Sequence, residues 1–291
     1  MKRWNVKKKI SNLLERIKRK VRKESDGNFR NRLINANTPM YVMEAYRMAR
    51  TNLMYTAKGA GVRVFGVTSA APHDGKSLTC ANLAISFSMA GKKVLLIDCD
   101  MHRPTQNISF GVTVENGLSE YLTALCEDPA ISETEYKNVH LLSAGRCPPD
   151  PSELLQSDRF AALLENAKSK YDCVFLDLPP LNVISDATVI APYLDGYVFV
   201  VRAKQSDRFD VQCALDSIEH VGGKVLGFIL NDMEHRSMDG YGSRYYGRYY
   251  GHYYYGRRYA QDAVEEEAPT QVEETPSKEE ELLPQEENSA E

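Results

Sequence analysis

The chain has 291 residues, of which 43% are hydrophobic and 26% are charged, and its formal net charge is -4. This size allows one sizeable core with appended segments, and the longest apolar stretches fall far short of the roughly 20 residues that a membrane-spanning helix needs. The near-neutral total hides a basic beginning and an acidic end. The six cysteines show no CxxC or Cys/His spacing, so we expect a reducing, cytosolic setting and no cysteine metal site.

The basic segment, residues 1–24, is predicted to be an amphipathic helix. Its apolar residues recur at helical spacing: Val6, Ile10, Leu13, Leu14, Ile17 and Val21. Such a helix can adsorb to an anionic lipid surface, or it can lie in solvent or against a partner protein, and the sequence favours neither. Nucleic acid binding is a weaker alternative, because no motif accompanies the charge, and we expect no nucleic acid partner.

Residues 25–60 are predicted to form a polar linker that ends at Pro39, followed by a helix over Tyr41–Tyr55. One narrow face of this helix is apolar and is predicted to pack on the core: Val42, Tyr46, Ala49 and Leu53. A separate arc carries charges that we expect to point outward: Glu44, Arg47 and Arg50. Taken alone, these charges are typical of an exposed pair within one helix.

Residues 61–232 alternate between strands and helices. Apolar, β-branched runs typical of strands buried on both faces lie at 63–69, 93–98, 139–143, 172–177, 196–201 and 224–230. Helical patterns lie near 76–90, 152–170, 186–193 and 207–221. The alternation predicts an α/β fold with a doubly wound, mostly parallel sheet, whose ligands bind beyond the carboxyl ends of the strands.

A phosphate-binding loop is predicted directly after the first strand. Its Gly75-Lys76-Ser77 core matches the Walker A pattern, although Ala70 replaces the first glycine. We expect backbone N–H groups to cradle phosphates, Lys76 to neutralise their charge, and Ser77 to bind Mg²⁺. Asn231, at the last strand end, could contact adenine or cap a turn, and neither is favoured. The predicted nucleotide-binding residues are Ala71, Pro72, His73, Asp74, Gly75, Lys76, Ser77, Leu78 and Asn231. A chance match is the alternative.

Three aspartates follow strands at the same predicted sheet edge: Asp98, Asp100 and Asp177. Such carboxylates would repel one another unless a cation lies among them, and a hard divalent ion bound through oxygens fits. We predict a metal site of Ser77 with these three acids, and a catalytic set of Lys76 with the same acids. Asp98 is the predicted base for a tyrosine hydroxyl, because we expect it to lie nearest the loop. Helix capping by the aspartates is the alternative.

Several ordered motifs resemble the bacterial tyrosine kinases (BY-kinases) of capsule and exopolysaccharide synthesis. They are VLLIDCDMHRP (94–104), YDCVFLDLPP (171–180), PPDPSELLQS (148–157), the run Ser185-Asp186-Ala187, and the ExxRxxR helix in EAYRMARTNL (44–53). Two positions depart from the family pattern: His102, followed by Arg103, replaces the usual arginine, and His73 stands where glycine is frequent. The related partition ATPases carry a signature lysine where this chain has Ala71, and the HRD and DFG signatures of eukaryotic-type kinases are absent.

The resemblance implies a P-loop NTPase fold with deviant Walker motifs, ATP and Mg²⁺ as cofactors, and a homo-oligomeric ring that uses Glu44, Arg47 and Arg50. It implies a membrane-spanning activator of the polysaccharide co-polymerase type and a tyrosine phosphatase as partners. The expected location is cytoplasmic, at the inner face of the cell membrane.

The segment 233–259 is predicted to be the autophosphorylation cluster. Its tyrosines are separated mainly by Gly, Arg and Ser, so we expect a mobile tract without a core pattern. The predicted acceptors are Tyr241, Tyr245, Tyr246, Tyr249, Tyr250, Tyr253, Tyr254, Tyr255 and Tyr259. A tract that stacks on RNA or on itself is the alternative. The acidic end, 260–291, is predicted to be disordered.

We therefore predict an ATP- and Mg²⁺-dependent protein tyrosine kinase that autophosphorylates this cluster in trans between subunits and regulates capsular and exopolysaccharide synthesis and export. Two alternatives remain: a partition-type ATPase switch without kinase activity, and a weakly active regulatory scaffold whose tail binds partners.

Overall fold

The computed structural model describes residues 30–56 and 63–233. The predicted basic helix, the tyrosine cluster and the acidic tail lie outside the described residues. No helix in the described ranges is both long enough and apolar enough to span a bilayer.

The strands and helices of the described part follow one another along the chain as predicted for an α/β fold. The strands are β1 (Arg63–Ser69), β2 (Val94–Asp98), β3 (Ser132–Glu133), β4 (Val139–Leu142), β5 (Cys173–Asp177), β6 (Gly196–Arg202) and β7 (Val225–Asn231). The helices are α1 (Met40–Thr56), α2 (Lys76–Met89), α3 (Gln106–Phe110), α4 (Leu118–Leu122), α5 (Pro151–Leu155), α6 (Asp158–Lys170), α7 (Asp186–Val189) and α8 (Arg208–His220). A 3₁₀ turn, Ala191–Tyr193, follows α7.

The strands form one sheet in the order β3-β4-β2-β5-β1-β6-β7. Every pairing is parallel except that of β3 with β4, so the predicted doubly wound, mostly parallel sheet is confirmed. All residues of β2 and β5 are buried, as expected for central strands covered on both faces. The register of these two strands sets Asp98 directly beside Asp177 at the carboxyl edge.

Apolar layers cover both faces of the sheet. On one face, Phe65, Phe87 and Phe175 form a cluster whose ring centroids lie 5.1 to 6.0 Å apart, and helix α2 packs there. On the other face, Phe160 of α6 and Ile218 of α8 pack on the sheet. Because α2 lies between the sheet and α1, most of it is buried, which makes the element that begins at Lys76 rigid.

The sequence placed most elements but misjudged several helices. The predicted helix 152–170 is divided, because the Ser157 side chain caps a new helix by accepting from the Phe160 N–H. The predicted helix 186–193 ends early and continues as a 3₁₀ turn that contains Pro192. Strand β3 and helices α3 and α4 were not predicted, because two to five residues are too few to show a period.

The segment before α1 belongs to the core, so its prediction as a polar linker is wrong at residues 33 and 34. Leu33 and Ile34 are buried among the side chains of α2. The Ile34 N–H donates to Asn82 Oδ1 at 2.9 Å, and Asn82 Nδ2 donates to the Arg32 carbonyl at 3.3 Å. A single buried asparagine therefore fastens the segment to α2.

Helix α1 packs on α2, although one predicted orientation is wrong. Tyr46, Ala49 and Leu53 contact the core as predicted, and Met43 contacts it where Val42 was expected. Arg50 does not point outward, because its Nη1 donates to the Ser86 carbonyl at 2.6 Å. Glu44 and Arg47 form an ion pair on the helix surface. The charged arc is therefore divided between an inward arginine and a surface pair.

Candidate active site

The predicted phosphate-binding loop connects β1 to α2 at the carboxyl edge of the sheet. Gly75 is the N-cap of α2 and has φ of 91°, in the left-handed region that glycine tolerates. A Cβ at this position would lie 1.9 Å from Asn231 Nδ2. Both the backbone conformation and the close neighbour therefore require glycine. His73 also has a positive φ, of 71°, which is costly for a residue with a side chain.

The loop is held by residues from the ends of β6 and β7. Asp74 is buried; its Oδ2 accepts from the Ala71 N–H at 3.2 Å and its Oδ1 from the Ser206 hydroxyl at 3.0 Å. Asn231 Nδ2 donates to the Asp74 carbonyl at 2.9 Å. Of the two alternatives for Asn231, this contact is the turn-stabilising one, and an adenine contact stays a prediction. Ser206 was not predicted.

A second contact from β6 reaches the loop. Arg202 Nη1 donates to the His73 carbonyl at 3.0 Å, and its Nη2 lies 2.8 Å from Asp232 Oδ2. The strained residue His73 is thus held through its carbonyl by an arginine that an aspartate positions. The sequence carried no motif that would have identified Arg202.

Lys76 lies among carboxylates. Its Nζ donates to Asp100 Oδ2 at 2.7 Å and to Ser77 Oγ at 3.2 Å, and it lies 3.8 Å from Asp177 Oδ1. Burial by itself would lower the pKa of Lys76, but Asp177 and Asp100 outweigh it and raise that pKa. The ammonium is therefore fully charged and close to the loop amides, as a phosphate ligand must be.

Asp98 has a different environment from the one predicted. Its Oδ2 accepts from the backbone N–H groups of Thr105 and Gln106, each at 3.0 Å, and its Oδ1 accepts from Asp100 N–H at 3.2 Å. The expectation that Asp98 lies nearest the loop is wrong, because Asp100 is the acid that contacts Lys76. Through these three backbone hydrogen bonds, Asp98 stabilises the turn that follows β2. Burial, followed by the charge of Asp177, raises the pKa of Asp98 to about 8.

Gln106, which was not predicted as a site residue, connects the loop to Asp177. Its Nε2 donates to Asp177 Oδ2 at 2.7 Å and to the Ser77 carbonyl at 2.9 Å. Within the described residues, Asp177 Oδ1 accepts no hydrogen bond. Burial raises the pKa of Asp177, although Lys76 and Gln106 oppose the shift. No motif marks Gln106, because its role depends on contacts with residues 29 and 71 positions away.

Three of the quoted motifs meet at the side chain of Asp186. This carboxylate is buried and accepts from the Ser152 hydroxyl. His102 Nε2 lies 3.2 Å from Asp186 Oδ2. The residue that replaces the usual arginine thus faces a carboxylate, and it connects the chain after β2 with α5 and α7.

The residues at this edge fit a magnesium nucleotide. No group of three or more His, Cys, Asp or Glu side chains in the described ranges is arranged to hold a metal ion by itself. A cation here would need further oxygen ligands, and Mg²⁺ in nucleotide sites takes them from phosphate and water. Asp177 Oδ1, which accepts no hydrogen bond among the described residues and lies 3.8 Å from Lys76 Nζ, and the Ser77 hydroxyl beside Asp177 could supply such a position. The loop N–H groups at the start of α2 and the Lys76 ammonium are the groups at this edge that could hold phosphates.

Comparisons with known proteins identify relatives of this chain. A family model described as "AAA domain" matches residues 73–207. The chain is 36% identical over 206 residues to a putative tyrosine-protein kinase CapB of Staphylococcus aureus, which covers 70% of this chain and 89% of that protein. It is 34% identical to tyrosine-protein kinase YwqD of Bacillus subtilis, with 70% and 86% covered. The chain also matches tyrosine-protein kinase wzc of Salmonella typhimurium, a longer protein, and the match covers 28% of the length of that protein.

Solved structures agree with the fold. The kinase domain of Escherichia coli tyrosine kinase ETK superposes with a TM-score of 0.64 at 33% identity, covering 67% of this chain and 76% of that one. The chimerical protein CapA2B2 gives a TM-score of 0.63 at 36% identity, covering 68% and 86%. The septum site-determining protein MinD from Pyrococcus horikoshii, complexed with Mg-ADP, gives 0.50 at 25% identity, covering 58% and 70%.

Proposed function

This chain belongs to the bacterial tyrosine kinase family, and we propose that it transfers phosphate from ATP to the tyrosines of its own C-terminal segment, in trans between subunits. The observation that carries the proposal is the buried contact of Lys76 with Asp100, 3.8 Å from the unpaired Asp177 Oδ1, at the start of the helix that follows the phosphate loop. A tyrosine kinase needs such a set of charges, because phosphoryl transfer depends mainly on positioning and charge stabilisation.

Each residue of the site has a proposed role. When bound, ATP would supply the phosphoryl group, and Mg²⁺ would offset the charge of its phosphates. Ser77 and Asp177 would hold the cation, with Asp98 and Asp100 completing the carboxylate shell directly or through water. Lys76, which contacts Asp100 here, would hold a phosphate oxygen when the nucleotide is bound, so that an anionic partner remains beside the ammonium. The backbone N–H groups of residues 73–78 would hold the remaining phosphate oxygens, whereas Pro72 has no N–H and the Ala71 N–H donates to Asp74.

The proton acceptor is one of the two aspartates that follow β2. Asp100 contacts Lys76 and is slightly exposed, which favours it on position. Asp98 was the predicted base; its Oδ1 accepts a single N–H, but the side chain is fully buried, which disfavours it on access. A tyrosine hydroxyl has an ordinary pKa of about 10, so a carboxylate that accepts its proton during attack assists transfer. Separate Asp98→Asn and Asp100→Asn variants decide which one acts.

The acceptors are the nine tyrosines between 241 and 259, which lie outside the described residues. Gly and Arg separate them, so the tract is suited to entering a site lined by carboxylates. The chain leaves the described part at Met233, directly after β7, and β7 ends beside the phosphate loop through Asn231. The tyrosine segment therefore follows β7, the strand whose end contacts the phosphate loop, within ten residues in sequence.

Assembly and partners extend the proposal. We propose that the surface pair Glu44 and Arg47 contacts a neighbouring subunit of a ring, while Arg50 supports α1 from inside. From the resemblance to the BY-kinases we propose a membrane-spanning activator as a partner, and the similarity to the chimerical protein CapA2B2 is consistent with a partner protein. A tyrosine phosphatase would remove the phosphates from the tyrosines of the C-terminal segment. The location at the inner membrane face, with residues 1–24 on anionic lipid, and the control of capsular and exopolysaccharide export belong to the same proposal.

Phosphate mapping with two full-length proteins tests the proposal. The donor has its nine cluster tyrosines replaced by phenylalanine, and the acceptor is an isotopically heavy Lys76→Met protein. With ATP and Mg²⁺, mass spectrometry should find phosphotyrosine on heavy peptides from 241–259. A heavy Lys92→Met acceptor, changed at an exposed lysine, should also be labelled.

The outcomes separate the alternatives. ATP hydrolysis by the donor and by the wild-type protein without phosphotyrosine would favour the partition-type switch. Absence of both ATP turnover and labelling would favour the scaffold, for which His102 is the main sequence support. His102 Nε2 lies 3.2 Å from Asp186 Oδ2 in the position of the usual arginine. If the scaffold alternative holds because of His102, a His102→Arg variant should restore labelling.

A further inference from the structure

Gln106 is the residue of this edge to which neither the sequence motifs nor the proposed mechanism gives a role. It is the first residue of α3 and is fully buried. Its backbone N–H donates to Asp98, and its side chain reaches Asp177 and the Ser77 carbonyl. One residue thus contacts the end of β2, the first turn of α2 and the end of β5.

The orientation of the Gln106 amide follows from its partners. The Ser77 carbonyl can only accept a hydrogen bond, so the atom 2.9 Å from it must be the nitrogen. The same nitrogen donates its second hydrogen to Asp177 Oδ2 at 2.7 Å. Gln106 Oε1 has no hydrogen-bond partner among the described residues. The residue is therefore held by its two donors, which neither glutamate nor methionine could supply.

The contact with Gln106 determines which oxygen of Asp177 remains available. Oδ2 is occupied by the amide, whereas Oδ1 accepts no hydrogen bond in the described part of the chain and lies 3.8 Å from Lys76 Nζ. A carboxylate can rotate about its Cβ–Cγ bond, and a charge-assisted hydrogen bond to one oxygen stops that rotation. The free oxygen is held on the side of Lys76 and the loop.

We infer that Gln106 is a positioning residue that holds the Asp177 carboxylate with Oδ1 toward a cation bound with the nucleotide, and that it ties this carboxylate to the phosphate loop through the Ser77 carbonyl. The inference deepens the proposed function and rests on its magnesium nucleotide site. Residues that orient a metal ligand in this way typically contribute 10–100-fold to metal affinity.

Magnesium-linked ADP binding tests this role. For each full-length protein, the dissociation constant of ADP is measured by calorimetry with Mg²⁺ and with EDTA, and the ratio of the two constants reports the cation. Gln106→Met removes both donors at similar volume, and Gln106→Asn withdraws the amide by one methylene. The matched control is Gln212→Met, because Gln212 Nε2 also donates to an aspartate, Asp216, at 2.7 Å, but on the exposed surface of α8.

We expect both Gln106 variants to lower the magnesium enhancement 10–100-fold, with ADP affinity in EDTA unchanged, and the control to match the wild type. An equal loss with and without Mg²⁺ would show a merely structural role and overturn the inference, as would an unchanged ratio or a wild-type protein whose ADP binding ignores Mg²⁺. If the methionine variant does not fold, the asparagine variant decides.

Phosphotyrosine on the wild-type protein is measured on the same samples. A wild type that shows the magnesium enhancement without tyrosine labelling would refute the proposed kinase function and leave the role of Gln106 intact. A wild type that labels its tyrosines, together with Gln106 variants whose magnesium enhancement is unchanged, would overturn the role of Gln106 and leave the kinase function intact.

Discussion

The two ends of strand β5 carry the same pair of residue types in opposite environments. Asp172 directly precedes the strand and lies 3.4 Å from Lys92 Nζ, with both side chains about 40% exposed. Asp177 ends the strand and lies 3.8 Å from Lys76 Nζ, with side-chain exposures of 0% and 10%. The amino end is a surface ion pair of the kind that contributes little to stability. The carboxyl end holds charges that water cannot reach.

The two aspartates respond in opposite directions. Hydrogen bonding from the Lys93 N–H, followed by the Lys92 side chain, lowers the pKa of Asp172. Burial raises the pKa of Asp177, and burial with the Asp177 charge raises that of Asp98. At the exposed end, the charge of Asp172 is balanced by its neighbours. At the buried end, one oxygen of Asp177 accepts no hydrogen bond, and the carboxylates outnumber the single ammonium, so a bound cation would stabilise the site.

Replacing the two lysines should produce the largest contrast. Lys76→Met removes a buried ammonium next to the phosphate loop, so we expect autophosphorylation to fall at least about 10²–10³-fold, the usual loss for one preorganised charge-stabilising group. Lys92→Met should leave the rate within about twofold. Initial rates of phosphotyrosine formation measure both. Similar rates in the two variants would contradict the assignment of Lys76.

Replacing each of the two aspartates by asparagine removes one charge at each end of β5 and measures its effect separately. Asp177→Asn keeps the shape and removes a charge that opposes Asp98, so we expect weaker magnesium-linked ADP binding, by at least about 10-fold, without loss of folding. Asp172→Asn should leave ADP binding unchanged and lower the free energy of unfolding by about 1 kcal/mol, through the weakened bond to the Lys93 N–H. Calorimetry and urea unfolding provide the two measurements.

The dependence of stability on pH should have opposite signs at the two ends. The pKa of Asp98 is raised from 3.8 to about 8, so the folded chain keeps a proton that the unfolded chain releases. Its contribution to stability is therefore greatest near pH 4 and declines as pH rises to about 8. Because the pKa of Asp172 is lowered in the folded chain, Asp172 contributes stability at pH values above its ordinary pKa, and this contribution is lost as the pH falls through the lowered pKa.

Urea midpoints at pH 5 and pH 8 in the absence of nucleotide test this sign. Asp98→Asn should flatten the decline between the two pH values, whereas Asp172→Asn should leave it unchanged. An unchanged slope in the Asp98 variant would show that its proton is not responsible.

Two residues with positive φ give the smallest expected effect. His73, at the carboxyl edge, has φ of 71°, and Asn138, before β4 at the other edge, has φ of 66°. Asparagine tolerates this conformation better than histidine does. We expect His73→Gly to raise the free energy of unfolding by up to about 1 kcal/mol and Asn138→Gly to change it by less than about half of that. A destabilised His73 variant would indicate a side-chain contact that outweighs strain.

Much of the carboxyl edge could be predicted, because parallel strands bring their ends together whatever their order. The strand ends at Ser69, Asp98 and Asp177 follow from local apolar runs. The loop follows from the Walker A core Gly75-Lys76-Ser77 directly after the first strand. The error about Asp98 has a local cause: only Cys99 separates Asp98 from Asp100, and the turn after β2 decides which of the two aspartates reaches Lys76. That turn depends on backbone N–H groups that no residue pattern reveals.

The amphipathic pattern of α1 predicted its contact with the core and could not predict the direction of Arg50. An arginine next to an apolar face is normally placed in solvent, but a carbonyl of α2 lies within its reach. The burial of Leu33 and Ile34 was not predicted, because two apolar residues in a polar stretch show no period. Their position depends on a hydrogen bond to the buried Asn82, which is 48 positions from Ile34 in the sequence.

The amino-acid order of this protein by itself determined the α/β alternation, the phosphate loop, the acidic strand ends and the membership in the tyrosine kinase family, since each is written in a short run of neighbouring residues. Only the tertiary structure decided that Asp98 lies beside Asp177, that Asp100 holds Lys76, and that Gln106 spans three elements. Those contacts join residues 24 to 79 positions apart, and their geometry comes from strand register and helix packing, which local propensity does not contain.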